Sequence, residues 1–141
     1  MKKYVAGFLY SYGHELLLIN KLKPEWQKGK LNAIGGKIEQ NETPHEAMIR
    51  EFREETSVVI ETWTPTIELS GDDWIVYFFR DIVSSSILHT YKNTTNEICE
   101  VIDLTKPLPK NIIWNLNWLI PLCGGEYDFP IAIKEHITGG K

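Results

Sequence analysis

Two cysteines, Cys99 and Cys123, are all that the 141 residues contain. They form no C-x-x-C pair and show no metal-ligand spacing, so a disulfide scaffold and a cysteine-based zinc site are excluded as organising features. Two reduced core thiols are expected instead. Long apolar runs are also missing: no stretch approaches the roughly 20 residues that a membrane helix needs. Met1-Lys2-Lys3 is followed by the short apolar stretch Val5–Tyr10, which reads as a first strand and not as a secretory leader. A cytoplasmic protein with no membrane partner is the expectation. A strong charge of either sign is absent too, the formal net charge being -4. A mildly acidic balance argues against a nucleic-acid polymer or an anionic membrane as partner. It leaves room for a phosphate-bearing small molecule, because a bound metal reverses the local sign. Repeats, low-complexity tracts and linkers are lacking, so residues 1–141 read as a single domain.

The apolar patterning divides this length into short strands and two helices. Strands are expected at Lys3–Tyr10 and Glu15–Asn20, around a turn at Ser11-Tyr12-Gly13. A polar loop with Pro24, Gly29, Lys23, Lys28 and Lys30 follows, then a short strand Leu31–Ile34 running into Gly35-Gly36. The clearest helix begins after Thr43, a good N-cap. Pro44 takes its first position, and Glu46 completes a T-x-x-E capping box. It should run to about Thr56, with Glu46–Arg50 and Arg50–Glu54 as i,i+4 pairs. Val58–Leu69 and Trp74–Ile82 read as strands around the hairpin turn Gly71-Asp72-Asp73. Ser84–Asn96 reads as loop, Ile98–Leu104 as a strand, and Ile112–Leu122 as a second helix with Trp114 and Trp118 at i,i+4. Strands and helices alternate without a strict βαβ rhythm. That implies an α/β fold: a mixed sheet with helices on both faces.

Four carboxylates, Glu46, Glu51, Glu54 and Glu55, cluster on the first helix. Glu51, Glu54 and Glu55 stand at i, i+3 and i+4 and project to one side. Like charges at that spacing repel. Either this is a solvated acidic face, or a hard divalent cation relieves the repulsion through oxygen ligands. Spacing alone leaves both readings open.

The surrounding residues add weight. From Gly36 to Val58 the chain reads GKIEQNETPHEAMIREFREETSV. This resembles the Nudix box, G-x5-E-x7-R-E-U-x-E-E-x-G-U with U hydrophobic, and every fixed position matches except one: Ser57 stands where the family has glycine. The resemblance implies a MutT-like Nudix hydrolase, with an α/β/α sandwich fold and a loop-helix-loop catalytic motif. It implies Mg²⁺, with Mn²⁺ as the alternative, held by Glu51, Glu54 and Glu55 and by the carbonyl of Gly36. One of these glutamates, or a glutamate on a later loop, takes the proton of the attacking water. Glu97, just before the strand Ile98–Leu104, is the first choice for that extra ligand or base and Glu100 the second; the alternative is a surface carboxylate. Arg50 is expected to clamp a carboxylate more than to touch substrate, Glu42 to stabilise the loop before the helix, and Met48 and Phe52 to face the core. Ser57 occupies a left-handed position that ends the helix, at a cost of about 1 kcal/mol relative to glycine.

The box sets the chemistry and leaves the substrate to its flanks. Leu31–Lys37 resembles the segment before the box in the oxidised-purine nucleoside triphosphate diphosphatases, where an asparagine reads the base. Asn32 has an amide that both donates and accepts, as a purine reader needs. Trp114–Pro121 resembles their segment in which a tryptophan stacks on the base and acids bind its edge. Here it is about one residue shorter, and Asn115 and Asn117 replace the acids. A plain amphipathic helix with two core tryptophans is the competing reading. Lys37 is the lysine most expected to meet phosphate; Lys23, Lys28 and Lys30 read as solvated. The resemblance therefore implies hydrolysis of a (deoxy)nucleoside triphosphate such as 8-oxo-dGTP to monophosphate and pyrophosphate. Other nucleoside diphosphate derivatives (ADP-ribose, a dinucleoside polyphosphate, a nucleotide sugar) are the alternative; the downstream proline common in ADP-ribose members is replaced by Asp73. A nucleotide-binding module without turnover is a third reading. Family members are often homodimers.

Overall fold

A computed structural model of the chain describes residues 1–136. Its centre is a long first strand, β1 (Lys2–Ser11), that touches apolar partners on both faces. Val5 and Leu9 point to one face, Phe8 and Tyr10 to the other. The same holds in β2 (Glu15–Asn20), where Leu17 and Ile19 oppose Leu16 and Leu18. A strand buried on both sides reads as a continuous apolar run, which is why Val5–Tyr10 and Leu16–Ile19 look alike in sequence.

Eight strands form one mixed sheet in the order β3-β2-β1-β6-β5-β8, with β4 also paired to β1 and β7 to β2. β1 pairs antiparallel with β2 only at its end, Leu9–Ser11. Its first half, Tyr4–Gly7, pairs instead with β4 (Ile34–Lys37). β2 diverges from β1 and pairs with β3 (Leu31–Asn32) and β7 (Ile98–Asp103). The other edge of β1 pairs in parallel with β6 (Trp74–Val83), which forms a hairpin with β5 (Thr64–Ser70). Helix α1 (Pro44–Thr56) covers one face with Ala47, Met48 and Phe52, and a short helix α2 (Ser85–Leu88) adds Leu88. Helix α3 (Leu116–Gly124) covers the other with Leu116, Leu119 and Ile120. The expected sheet with helices on both faces is therefore found. Among the described residues no helix is long and apolar enough to cross a membrane.

Several local expectations change. The strand expected at Leu31–Ile34 is two strands broken at Ala33, and the second continues through Gly35-Gly36 to Lys37. Val58–Trp63 is irregular and only Thr64–Ser70 is strand. Ile60 and Trp63 are the buried pair there, and a spacing of three does not fit the alternation of a strand. Trp63 meets Phe52 edge-on, with ring centroids 5.0 Å apart. Within the expected loop Ser84–Asn96, the Ser84 hydroxyl caps α2 by accepting from the Ile87 N–H. The second helix starts at Leu116 and not at Ile112, because β3 captures the residues before it: the Leu31 N–H donates to the Asn111 carbonyl at 2.7 Å and the Ile113 N–H to that of Leu31 at 3.0 Å. Trp114 therefore lies outside the helix, with 65% of its surface exposed. The tail left uninterpreted in sequence adds β8 (Ile131–Lys134), parallel to β5.

Candidate active site

Local sequence fixes the start of α1. The Thr43 hydroxyl accepts from the Glu46 N–H at 3.1 Å, and the Glu46 carboxylate accepts from the Thr43 N–H at 2.9 Å. Both halves of the capping box are present, so Glu46 is committed to the cap and the expected Glu46–Arg50 pair does not form. At the other end Ser57 adopts φ 65°, the left-handed stop, and its N–H donates to the Arg53 carbonyl. Between these ends the apolar stripe Ala47–Met48–Phe52–Thr56 faces the sheet. Glu51 and Glu55 border that stripe and are half-buried. Burial pushes both carboxyls above the ordinary range, more than hydrogen bonds from Arg50 and Thr95 pull them down.

Arg50 holds the carboxylates together. Its Nε and Nη2 donate to the two oxygens of Glu42, at 2.5 and 3.0 Å. Nη1 donates to Glu51 and to Glu54, both at 3.0 Å, and Nη2 also reaches the Lys37 carbonyl at 2.9 Å. The planar guanidinium thus ties α1 to β4 and to the loop before the helix. The Arg50 hydrogen bonds hold the Glu42 carboxyl well below its usual range. Glu54, 53% exposed, is the outermost of the three box glutamates.

Gly36 is the close approach. A Cβ built there would lie 2.4 Å from Cδ of Glu51, so the bare backbone is what lets this carboxylate sit against β4. A Cβ on Gly35 would meet the Val5 carbonyl oxygen at 1.9 Å, so β4 cannot lie beside β1 with any side chain at that position.

Two expected ligands are placed differently. Glu97 sits close to Glu55, yet both its oxygens are engaged: Oε1 accepts from Lys21 Nζ at 3.0 Å, and Oε2 from the N–H groups of Leu22 and Lys23 at 2.8 and 3.2 Å. Burial raises its pKa, and these hydrogen bonds outweigh that and hold it below the ordinary range. Glu97 thus stands beside the box glutamates with Lys21 paired to it, as Arg50 is paired to Glu51 and Glu54. Glu100 pairs with Leu18 in the register and so faces the α3 side of the sheet, away from α1.

A cavity of about 570 Å³ adjoins the box. Its lining includes Gly35, Gly36 and Lys37 from β4, with Asn32, Trp114 and Asn115, so four of the five expected substrate contacts meet there. The Asn32 amide is oriented on both sides: Oδ1 accepts from the Ala33 N–H at 2.8 Å, and Nδ2 donates to Gln27 at 3.0 Å. Oδ1 of Asn115 is buried without a hydrogen-bond partner. Asn117 is the correction. It lines a different cavity, of about 700 Å³, at the far end of β1 beside Ser11 and Arg80, and its Nδ2 donates to the Trp114 carbonyl. The late start of α3 turns it that way. Sequence reasoning missed Lys21, Trp26 and Gln27, which also line the first cavity. A signal for Trp26 existed: an indole in a loop of lysines, proline and glycine has no apolar partners to join, and it is 60% exposed. Lys23, Lys28 and Lys30 are exposed outside that cavity.

Among the described residues no three His, Cys, Asp or Glu side chains form a ready-made metal cage. The donor set nevertheless fits a hard divalent ion. Glu51 and Glu55 are half-buried carboxylates one helical turn apart, with the bare backbone of Gly36 against Glu51, and Mg²⁺ is bound through one or two carboxylates with water and substrate phosphate completing its shell.

Comparison with known proteins adds the lineage. The NUDIX domain family model matches residues 2–120. A MutT NUDIX hydrolase from Burkholderia pseudomallei is similar at 18% identity and TM-score 0.67, over 79% of this chain and 89% of that one. A NUDIX hydrolase from Nitrosomonas europaea gives 16% identity and TM-score 0.68, over 95% and 79%. The NUDIX domain of Shewanella oneidensis NrtR, solved as a complex with ADP ribose, gives 15% and 0.63, over 73% of each chain. At these identities the structural likeness is one of fold.

Proposed function

This chain belongs to the NUDIX family, and from that premise we propose that it is a MutT-like pyrophosphohydrolase of phosphoric anhydrides, converting a (deoxy)nucleoside triphosphate to monophosphate and pyrophosphate, with an oxidised purine such as 8-oxo-dGTP as leading substrate. The observation that carries this reading is the cavity of about 570 Å³ whose wall is shared with Gly36 and Lys37 of the box. A base held in it leaves its phosphates at the glutamate helix.

Glu51, Glu54 and Glu55, with the Gly36 carbonyl, would hold Mg²⁺ or Mn²⁺ there. When bound, the ion offsets phosphate charge and acidifies a water. Arg50 fixes the Glu51 and Glu54 carboxylates and touches no substrate. One of these glutamates, or Glu97 on the later loop, takes the water's proton as the anhydride P–O bond breaks. Lys37 neutralises phosphate at the rim. The exposed indole of Trp114 stacks on the base. Oδ1 of Asn115, buried and unpartnered, accepts an N–H from the base edge.

The test is a product assay with Mg²⁺ and a panel of 8-oxo-dGTP, the ordinary dNTPs, ADP-ribose and a dinucleoside tetraphosphate, run beside Glu54→Gln. Monophosphate plus pyrophosphate from a triphosphate, with the variant slowed at least about 100-fold, supports the reading. Preferred cleavage of ADP-ribose, the ligand in the NrtR domain structure, overturns the substrate and keeps the class. Binding without turnover on the whole panel points to a nucleotide-binding module.

A further inference from the structure

We propose that Glu135 determines base specificity: its carboxylate accepts from the adjacent N1–H and N2–H groups of a guanine-type base held in the cavity of about 570 Å³. The inference rests on the proposed use of that cavity for the base. β8 carries Glu135 there. Ile131 and Ile133 pack on the core beneath α3, whereas Ala132 and Lys134 are exposed. Residue 135 falls on the isoleucine face, at the strand's spacing of two. Its N–H donates to the Ser70 carbonyl at 2.7 Å, which keeps it in line with the pairing of β8 on β5. A third apolar residue would suit that face. A glutamate stands there instead, half-buried, and shares the cavity wall with Leu69, Trp74 and Val76. Among the described residues no lysine, arginine or histidine forms an ion pair with it. It is also the one carboxylate among the described residues that line the cavity. A charge beside apolar surface is costly until hydrogen-bond donors meet it, and here the donors have to come from the ligand.

The place of Glu135 in the sheet selects the part of the ligand that it meets. Along β4-β1-β6-β5-β8 it lies at the end opposite Gly36 and Lys37. Phosphates held at the box leave the base to extend toward β8. In the same wall Oδ1 of Asn115 is a second acceptor without a donor. An ionised carboxylate only accepts, and it takes two parallel N–H donors at once. The N1–H and the 2-amino group of guanine, or of its 8-oxo form, present that pair. Adenine presents a bare ring nitrogen at the same place, which the carboxylate repels. Such a base leaves the acceptors unpaired and is rejected.

The test is calorimetric binding of monophosphates to the full chain, so that no turnover is needed. The probes are dGMP, 8-oxo-dGMP, dIMP and dAMP, with wild type, Glu135→Gln and Glu135→Ala. Wild type should bind the two guanine nucleotides at least about tenfold more tightly than dAMP. Binding of dIMP, which keeps N1–H and lacks the 2-amino group, should fall between them. Both variants should weaken the guanine nucleotides at least about tenfold and leave dAMP within about threefold of wild type. The bond to Ser70 comes from the backbone and survives both substitutions. Guanine affinity unchanged in both variants overturns the proposal. So does an equal loss for dAMP, which would make Glu135 a structural residue of β8, and so does a wild type that binds none of the four. The two readings fail separately. Base-selective binding that Glu135→Gln removes, with no triphosphate hydrolysed, sinks the hydrolysis and keeps the assignment of Glu135. Hydrolysis with a base preference that the variants retain does the reverse.

Discussion

Gly35 and Gly36 are neighbours, yet a methyl group does different harm at each. At Gly35 it meets a backbone carbonyl of β1 at 1.9 Å, which no side-chain motion relieves. Gly35→Ala should lose about 3 kcal/mol or more in urea unfolding. At Gly36 the obstacle is the carboxylate end of Glu51, which can swing away. Gly36→Ala should stay within about 1 kcal/mol of wild type and lose at least tenfold in kcat, about 1.4 kcal/mol in the transition state. Equal losses of stability in the two variants would contradict this division. At the residue scale the box was legible because its spacing is fixed by one helix turn and one glycine approach. Trp26 and Lys21 were not, since their meaning depends on the loop reaching the cavity that β4 also lines. Glu97 was legible as a carboxylate near the box, whereas its bonds from the Lys21 ammonium and two backbone amides were not, because they depend on how the loop folds.

Among the elements, α1 is the most self-contained, and its limits were readable because caps are local chemistry. Thr43→Ala removes the hydroxyl that accepts from Glu46 and should cost about 1 kcal/mol. Ser57→Gly relieves a left-handed residue and should stabilise by about 1 kcal/mol with turnover unchanged, both read from unfolding midpoints. The start of α3 and the irregular Val58–Trp63 segment were unreadable for the opposite reason. β3 pulls Ile112 and Ile113 out of a helical pattern, and the core pulls Ile60 and Trp63 out of a strand pattern. Helix α2 is tied to the β1–β2 hairpin through Glu15, which accepts from Ser85, Ser11 and the His89 ring. The Ser85 bond, then those of His89 and Ser11, hold its pKa near 2 against an ordinary 4.5. A depressed carboxylate contributes stability that is fully present above the unfolded value and is lost as pH falls through the folded one. The difference in unfolding midpoint between wild type and Glu15→Gln should therefore be constant above pH 4.5 and shrink between 4.5 and 2. A difference that grows on acidification would contradict the tie.

For the molecule as a whole, the splay of β2 from β1 decides where function sits. β1 gives its far end to β2 and its near end to β4, and β4 carries the two glycines and Lys37 into the opening. α1 lies on one face of that opening and the cavity reaches it from the other, so one strand meets both the glutamates and the pocket. The mixed sheet with helices on both faces followed from the rhythm of elements, whereas this crossing depends on strand order, which no local pattern encodes. The most direct test follows phosphorus NMR signals while the protein turns over the best nucleoside triphosphate of the panel with Mg²⁺, beside Glu51→Gln. Pyrophosphate and the monophosphate should appear together, without orthophosphate, and the variant should fold normally by circular dichroism while slowing at least about 100-fold. Release of orthophosphate, or a Glu51→Gln rate equal to wild type, would mean that the glutamate helix beside Gly36 does not carry the reaction.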